Sequence, residues 1–139
     1  PAEEIKKSVC GKDEIHLVGR VDSMAEALNE ASFAIAPMQS GSGMQGKILE
    51  AMACGLPVVT NSLGQGSIEA TSAQGLFVAD TPEEFSSIII ELLRDEKKCR
   101  DTGAVARTFI LHNHEVSLSL PVLESIYRTA VETSNIDHA

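Results

Sequence analysis

Apolar residues along this chain fall into two patterns, short continuous runs and longer stretches at helical spacing. The runs are Phe33–Ala36, Val58–Thr60 and Gly75–Ala79, and Ile15–Val18, interrupted by His16, reads as a further strand. Continuous apolar runs bounded by turn formers read as strands covered on both faces of a parallel sheet. The periodic stretches lie between and after them. Ala2–Cys10 reads as the closing half of an amphipathic helix, with Gly11 as its cap. Ser23 caps a helix running through Ala31. Met44–Cys54 carries one apolar stripe at Met44, Ile48, Ala51 and Met52, with Lys47 and Glu50 on another side. Ser67–Thr71 is expected to make a short helical turn.

The second half is mostly helical. Thr81-Pro82-Glu83-Glu84 has Thr at the N-cap, Pro at the first helical position and Glu closing a capping box. Phe85, Ile88, Ile89, Leu92 and Leu93 keep helical spacing to Arg94. Lys97–Asn113 reads as a further helix, interrupted or re-entered near Gly103. Leu118–Ser134 is a last helix despite Pro121, and Asn135–Ala139 should fray. The expected fold class is α/β: a Rossmann-like parallel sheet of about four strands with helices on both faces and C-terminal helices.

Phe33–Thr60 organises the rest. Pro37 closes the first strand because it has no N–H to donate to a ladder. Gly41-Ser42-Gly43 can turn sharply and admit a ligand close to the backbone. Gly55 and Pro57 stop the helix, and Val58-Val59-Thr60 follows as a parallel strand. The helix opens with amides that lack intrahelical partners, and its dipole places partial positive charge there. A glycine loop before a helix start is thus a candidate phosphate site. Lys47 adds a full charge one turn in, and Glu50 offers a carboxylate to sugar hydroxyls. The alternative is that these glycines only make a turn and Glu50 is a solvated helix residue.

Gly41-x-Gly43-x-x-Gly46 also satisfies a dinucleotide fingerprint, which makes a nicotinamide-dependent oxidoreductase the runner-up. Two details fit it poorly. Pro37–Ser40 separate the strand from the first glycine, and Thr60-Asn61 ends the next strand without the acid that would hold a ribose.

Composition narrows the partners. The 139 residues, 43% hydrophobic, suffice for a single globular domain with its own core. A net charge of −9 argues against nucleic acid or an anionic membrane as a general partner. Cys10, Cys54 and Cys99 have no metal-like spacing and read as reduced thiols, so a cytoplasmic setting is expected. No run reaches the ~18 apolar residues of a membrane span, so no integral membrane segment is expected. His112 and His114 read as a helix end rather than metal ligands, and His16 as an outward strand residue. No Ser-His-Asp or Cys-His set can be assembled from order and spacing.

Pro37, the Gly41–Gly43 loop, Lys47-Ile48-Leu49-Glu50-Ala51-Met52-Ala53 and Gly55-Leu56-Pro57-Val58-Val59 together resemble the donor-nucleotide segment of GT-B glycosyltransferases of the retaining group 1 family. The ordered match is far more specific than the glycines alone. In one respect the chain departs from the family pattern. Ser42 stands eight positions before Glu50, where many relatives carry a first glutamate, so that residue's role toward the donor sugar is unassigned here.

The resemblance implies a donor-binding domain for a nucleotide-diphosphate sugar, acting in a hexosyltransferase-class enzyme. It places Glu50 as the catalytic and ribose-binding residue. It places Gly41, Ser42, Gly43, Met44 and Lys47 at the phosphates, and Gly19, Arg20 and Val21 beside the base. No cofactor and no metal are expected, and the acceptor is not specified. The family's C-terminal domain opens with a strand–helix–strand not found here and follows an acceptor-binding domain. Residues 1–139 are therefore expected to be one partial domain, inactive alone and prone to self-association. A non-catalytic α/β regulatory module is the other alternative.

Overall fold

The computed structural model describes residues 6–7, 9–41, 43 and 45–114. Its centre is a three-stranded parallel sheet in the order β1-β2-β3: β1 (Ala34–Ala36), β2 (Val58–Thr60) and β3 (Leu76–Val78). Ala34 lies opposite Val58 and Val58 opposite Leu76, so the registers run in step across the sheet. The helices are α1 (Met24–Leu28), α2 (Gly46–Ala53), the four-residue α3 (Ser62–Gln65), α4 (Pro82–Arg94) and α5 (Glu96–Asn113), with a 3-10 turn at Ser72–Gln74.

Both faces of β2 are covered, as its unbroken apolar run requires. Val58 packs with Ile48, Met52, Leu76, Ala106 and Ile110 beneath α2 and α5. Val59 points the other way, into Leu92 and Cys99, with Phe77, Phe85, Ile88 and Ile89 against them. Full burial of each such side chain contributes about 1.5–3 kcal/mol. Thr60 is the one fully buried polar side chain of β2. Its hydroxyl donates to the Ala36 carbonyl at 2.8 Å, so the group is not left unpaired.

Local signals resolve as the residues require. The Thr81 hydroxyl accepts from the Glu84 amide at 3.2 Å, and the Glu84 carboxylate accepts from the Thr81 amide at 3.1 Å. The Ser23 hydroxyl accepts from the Glu26 amide at 3.2 Å, although α1 ends at Leu28 rather than Ala31. Gly55 takes φ +80° after α2 and donates to the Met52 carbonyl.

The sheet has three strands rather than about four among the described residues. Ile15–Val18 joins no ladder among the described residues, and Val18 is 73% exposed. A largely apolar segment becomes a strand only when a neighbour supplies hydrogen-bond partners. β1 is likewise an edge strand with Ile35 55% exposed, so its run is not covered on both faces. The expected turn at Ser67–Thr71 lies later, at Ser72–Gln74, where Thr71 caps it with a full capping box. Asn61–Gly66 forms a helical turn. α5 is continuous through Gly103. The helix expected over Leu118–Ser134, the fraying end at Asn135–Ala139, and Ser42 and Met44 lie outside the described residues.

Candidate functional site

Three connections leave the carboxyl ends of the parallel strands, the edge where open α/β sheets receive ligands. The first runs from Pro37 to Gln45, the second is Asn61–Gly66, and the third begins at Asp80. Gly41 (φ +152°) and Gly43 (φ +75°) both adopt backbone conformations that side chains disfavour, so these glycines do more than spell a motif.

The loop delivers an uncapped helix. Gln45 stands at the N-cap of α2, yet its side chain makes no capping bond. Instead its buried amide turns back, with Nε2 donating to the Gly43 carbonyl at 3.3 Å. The Gln45 carbonyl accepts from Ile48 and Leu49. The Gly46 and Lys47 amides have no acceptor among the described residues. They sit at the positive end of the α2 dipole, the arrangement that binds anions.

Lys47 and Glu50 both project from α2 into one shallow groove of about 150 Å³. Its floor is apolar, formed by β1, Ala51 and Val58, and Met24 and Leu28 of α1 close its side. Both charged side chains are exposed and form no ion pair among the described residues. Larger hollows of about 410 and 470 Å³ lie at the free edge of β3 and beside α4 and α5. None of the three hollows is lined by the glycine loop, and Lys47 and Glu50 line the smallest of them, so chemistry rather than volume places the site.

Gly19, Arg20 and Val21 do not line this groove. They lie on the segment leading into α1, whose Met24 does, and Gly19 turns there with φ +77°. The structure therefore sets Lys47 and Glu50 on one groove, with Gly41 and Gly43 in the loop leading into the same helix, and leaves the Gly19–Val21 segment one short helix away. The other polar group at this edge is Asp80. It accepts from the Ser62 amide at 2.9 Å and from the Ser62 hydroxyl, and these bonds, the hydroxyl's first, hold its carboxyl below the usual range. The Asn61 side chain binds the backbone of Met38, a link that sequence reading missed. The visible signal was Asn61-x-x-Gly64, an Asn cap motif at a strand end.

The family model described as "Glycosyl transferases group 1" matches residues 1–95 of the chain. The chain belongs to this family. No curated protein matches it at a significant level. Membership in a glycosyl-transfer family displaces the oxidoreductase reading, and the geometry agrees. β1 ends at Ala36, well before Gly41, and the residue after β2 is Asn61, whose amide is committed to Met38. The three-stranded parallel sheet with helices on both faces is consistent with part of a GT-B C-terminal domain.

The remaining candidates have structural explanations. His112 Nδ1 lies 2.8 Å from the Thr108 carbonyl, and His114 ends α5 with its ring 5.6 Å from that of Phe109. His16 is exposed and lies in no strand among the described residues. No cluster of three metal-ligating side chains occurs among the described residues. The three cysteines are unpaired, and burial pushes the Cys99 thiol up while Sγ donates to the Ser32 carbonyl. No helix among the described residues is long and apolar enough to cross a membrane.

Proposed function

We propose that this group 1 glycosyltransferase chain binds the nucleotide-diphosphate sugar donor at the loop between β1 and α2. The observation that carries the reading is the uncapped start of α2 behind two positive-φ glycines, with Lys47 and Glu50 free on one groove. Gly41, Ser42, Gly43 and Met44 are assigned to the distal phosphate, and Lys47 adds charge. Glu50 accepts from the ribose hydroxyls, and Gly19, Arg20 and Val21 flank the base across α1. Bond breaking in this reaction leaves negative charge on the nucleoside diphosphate. Fixed amides and a helix dipole stabilise that charge without reorganising, which is the most effective form of electrostatic catalysis. In this reading residues 1–139 form one donor-side domain of a cytoplasmic hexosyltransferase. Transfer needs an acceptor-binding wall on the other side of the cleft, so the chain by itself binds and does not transfer.

Calorimetric titration with UDP, GDP, ADP and NAD separates the readings. A nucleoside diphosphate should bind and NAD should not. In the intact transferase, Glu50→Ala should weaken donor binding by about 1–3 kcal/mol, the value of charge-assisted hydrogen bonds. Unchanged donor affinity and turnover in that variant would remove Glu50 from the ribose. Binding of NAD alone would return the dinucleotide alternative.

A further inference from the structure

We propose that Asn61 is a positioning residue, which holds the glycine loop in the shape that receives the donor diphosphate. The inference rests on the donor-site reading above. The β1–β2 ladder ends at Ala36 opposite Thr60, and the next β1 residue whose backbone faces β2 is Met38. Beyond the proline, the Asn61 side chain takes over the pairing. Its Nδ2 donates to the Met38 carbonyl at 2.7 Å, and its Oδ1 accepts from the Met38 amide at 3.3 Å. One carboxamide thus meets both backbone groups of one residue, an arrangement that satisfies every atom only in this orientation. The same Oδ1 accepts from the Gly64 amide at 3.0 Å, which ties the clasp to the turn that follows β2.

That turn then supports the loop sterically. A Cβ on Gly64 would stand 2.1 Å from Thr60 Oγ1 and 2.9 Å from Met38 Cγ, so the Met38 side chain lies directly on the Gly64 backbone. The far end of Met38 reaches within 3.3 Å of where a Gly41 Cβ would be. Gly66, at φ +51°, backs onto the Gly43 carbonyl, where an added Cβ would sit 3.3 Å away. Both positive-φ glycines of the loop are therefore braced from the Asn61–Gly66 turn. Neither Asn61 nor Gly66 needs to touch the donor for its loss to misplace the amides that do. Misplacement should act on the diphosphate and leave the nucleoside contacts near Gly19–Val21 alone.

The test uses the full chain with Asn61→Ala and Asn61→Asp. The aspartate keeps the acceptor for Gly64 and Met38 and so preserves the turn, but it cannot donate to the Met38 carbonyl. Hydrogen exchange should speed up about three- to tenfold at the amides from Met38 to Lys47, matching the loss of one net hydrogen bond, with β2 and α5 unchanged. Affinity for whichever of UDP, GDP and ADP the wild type binds should fall by the same factor, while affinity for the corresponding nucleoside holds. Unchanged loop exchange in Asn61→Asp overturns the clasp. Faster loop exchange with unchanged diphosphate affinity overturns the positioning role. If the wild type binds none of the three diphosphates, the donor reading fails instead, and the exchange data alone decide the clasp.

Discussion

Gly103→Ala should destabilise the protein although alanine is the better helix former. Gly103 lies inside α5, where it faces the turn between α2 and β2. A Cβ there would stand 2.0 Å from the Gly55 carbonyl oxygen, 2.9 Å from the Gly55 carbonyl carbon and 3.3 Å from Pro57 Cδ. An ordinary contact is about 3.5 Å, so the methyl overlaps the oxygen by roughly 1.5 Å. The turn cannot retreat. Gly55 donates to Met52 at 2.9 Å and Leu56 to Ala51 at 3.1 Å, and Pro57 leads straight into buried β2. α5 must tilt instead, which disturbs Cys99 and Ala106, both buried. Overpacking of this kind costs about 1–3 kcal/mol, here at the upper end. Relief of the glycine's helix penalty returns about 1 kcal/mol. The net expectation is a loss of about 2 kcal/mol, measured by urea unfolding with a constant denaturant slope. A gain near 1 kcal/mol, as for an unpacked helical glycine, would show that α5 does not rest on this turn.

Thr81→Ala removes the acceptor for the Glu84 amide and should cost about 1 kcal/mol in the same assay, with Glu84→Ala coupled to it in a double-mutant cycle. Because Asp80 is held below its unfolded value in the native state, its bonds to Ser62 stabilise at pH above the ordinary carboxylate range and are lost as pH falls through the native value. Ser62→Ala should therefore move the Asp80 carboxyl resonance titration upward, and an unmoved titration would dismiss the link. The edge of β1, unpaired among the described residues, and the exposed Ile15, Leu17 and Val18 should make the isolated chain associate with concentration in sedimentation. A clean monomer at high concentration would argue that these groups are not available for pairing.

Much of this protein was legible before folding because its signals are short-range. The Thr81–Glu84 box, the Ser23 cap, Gly55 after α2 and the apolar stripe through Ile48, Ala51 and Met52 each depend on residues within a turn or two. The glycine loop, Lys47 and Glu50 were readable for the same reason: a strand end, a loop and a helix start are contiguous in the chain. The rest needed partners distant in sequence. Ile15–Val18 has much of the composition of a strand, but strand pairing is decided by a neighbouring backbone, and none adjoins it among the described residues. Gly103 looks like a helix breaker, yet the close approach of Gly55 makes it the residue that lets α5 pack unbroken. Asn61 reads as an ordinary cap after a strand. Only the parallel register of β1 and β2 sets it across from Met38, where one side chain takes up the backbone pairing just beyond the last ladder pair.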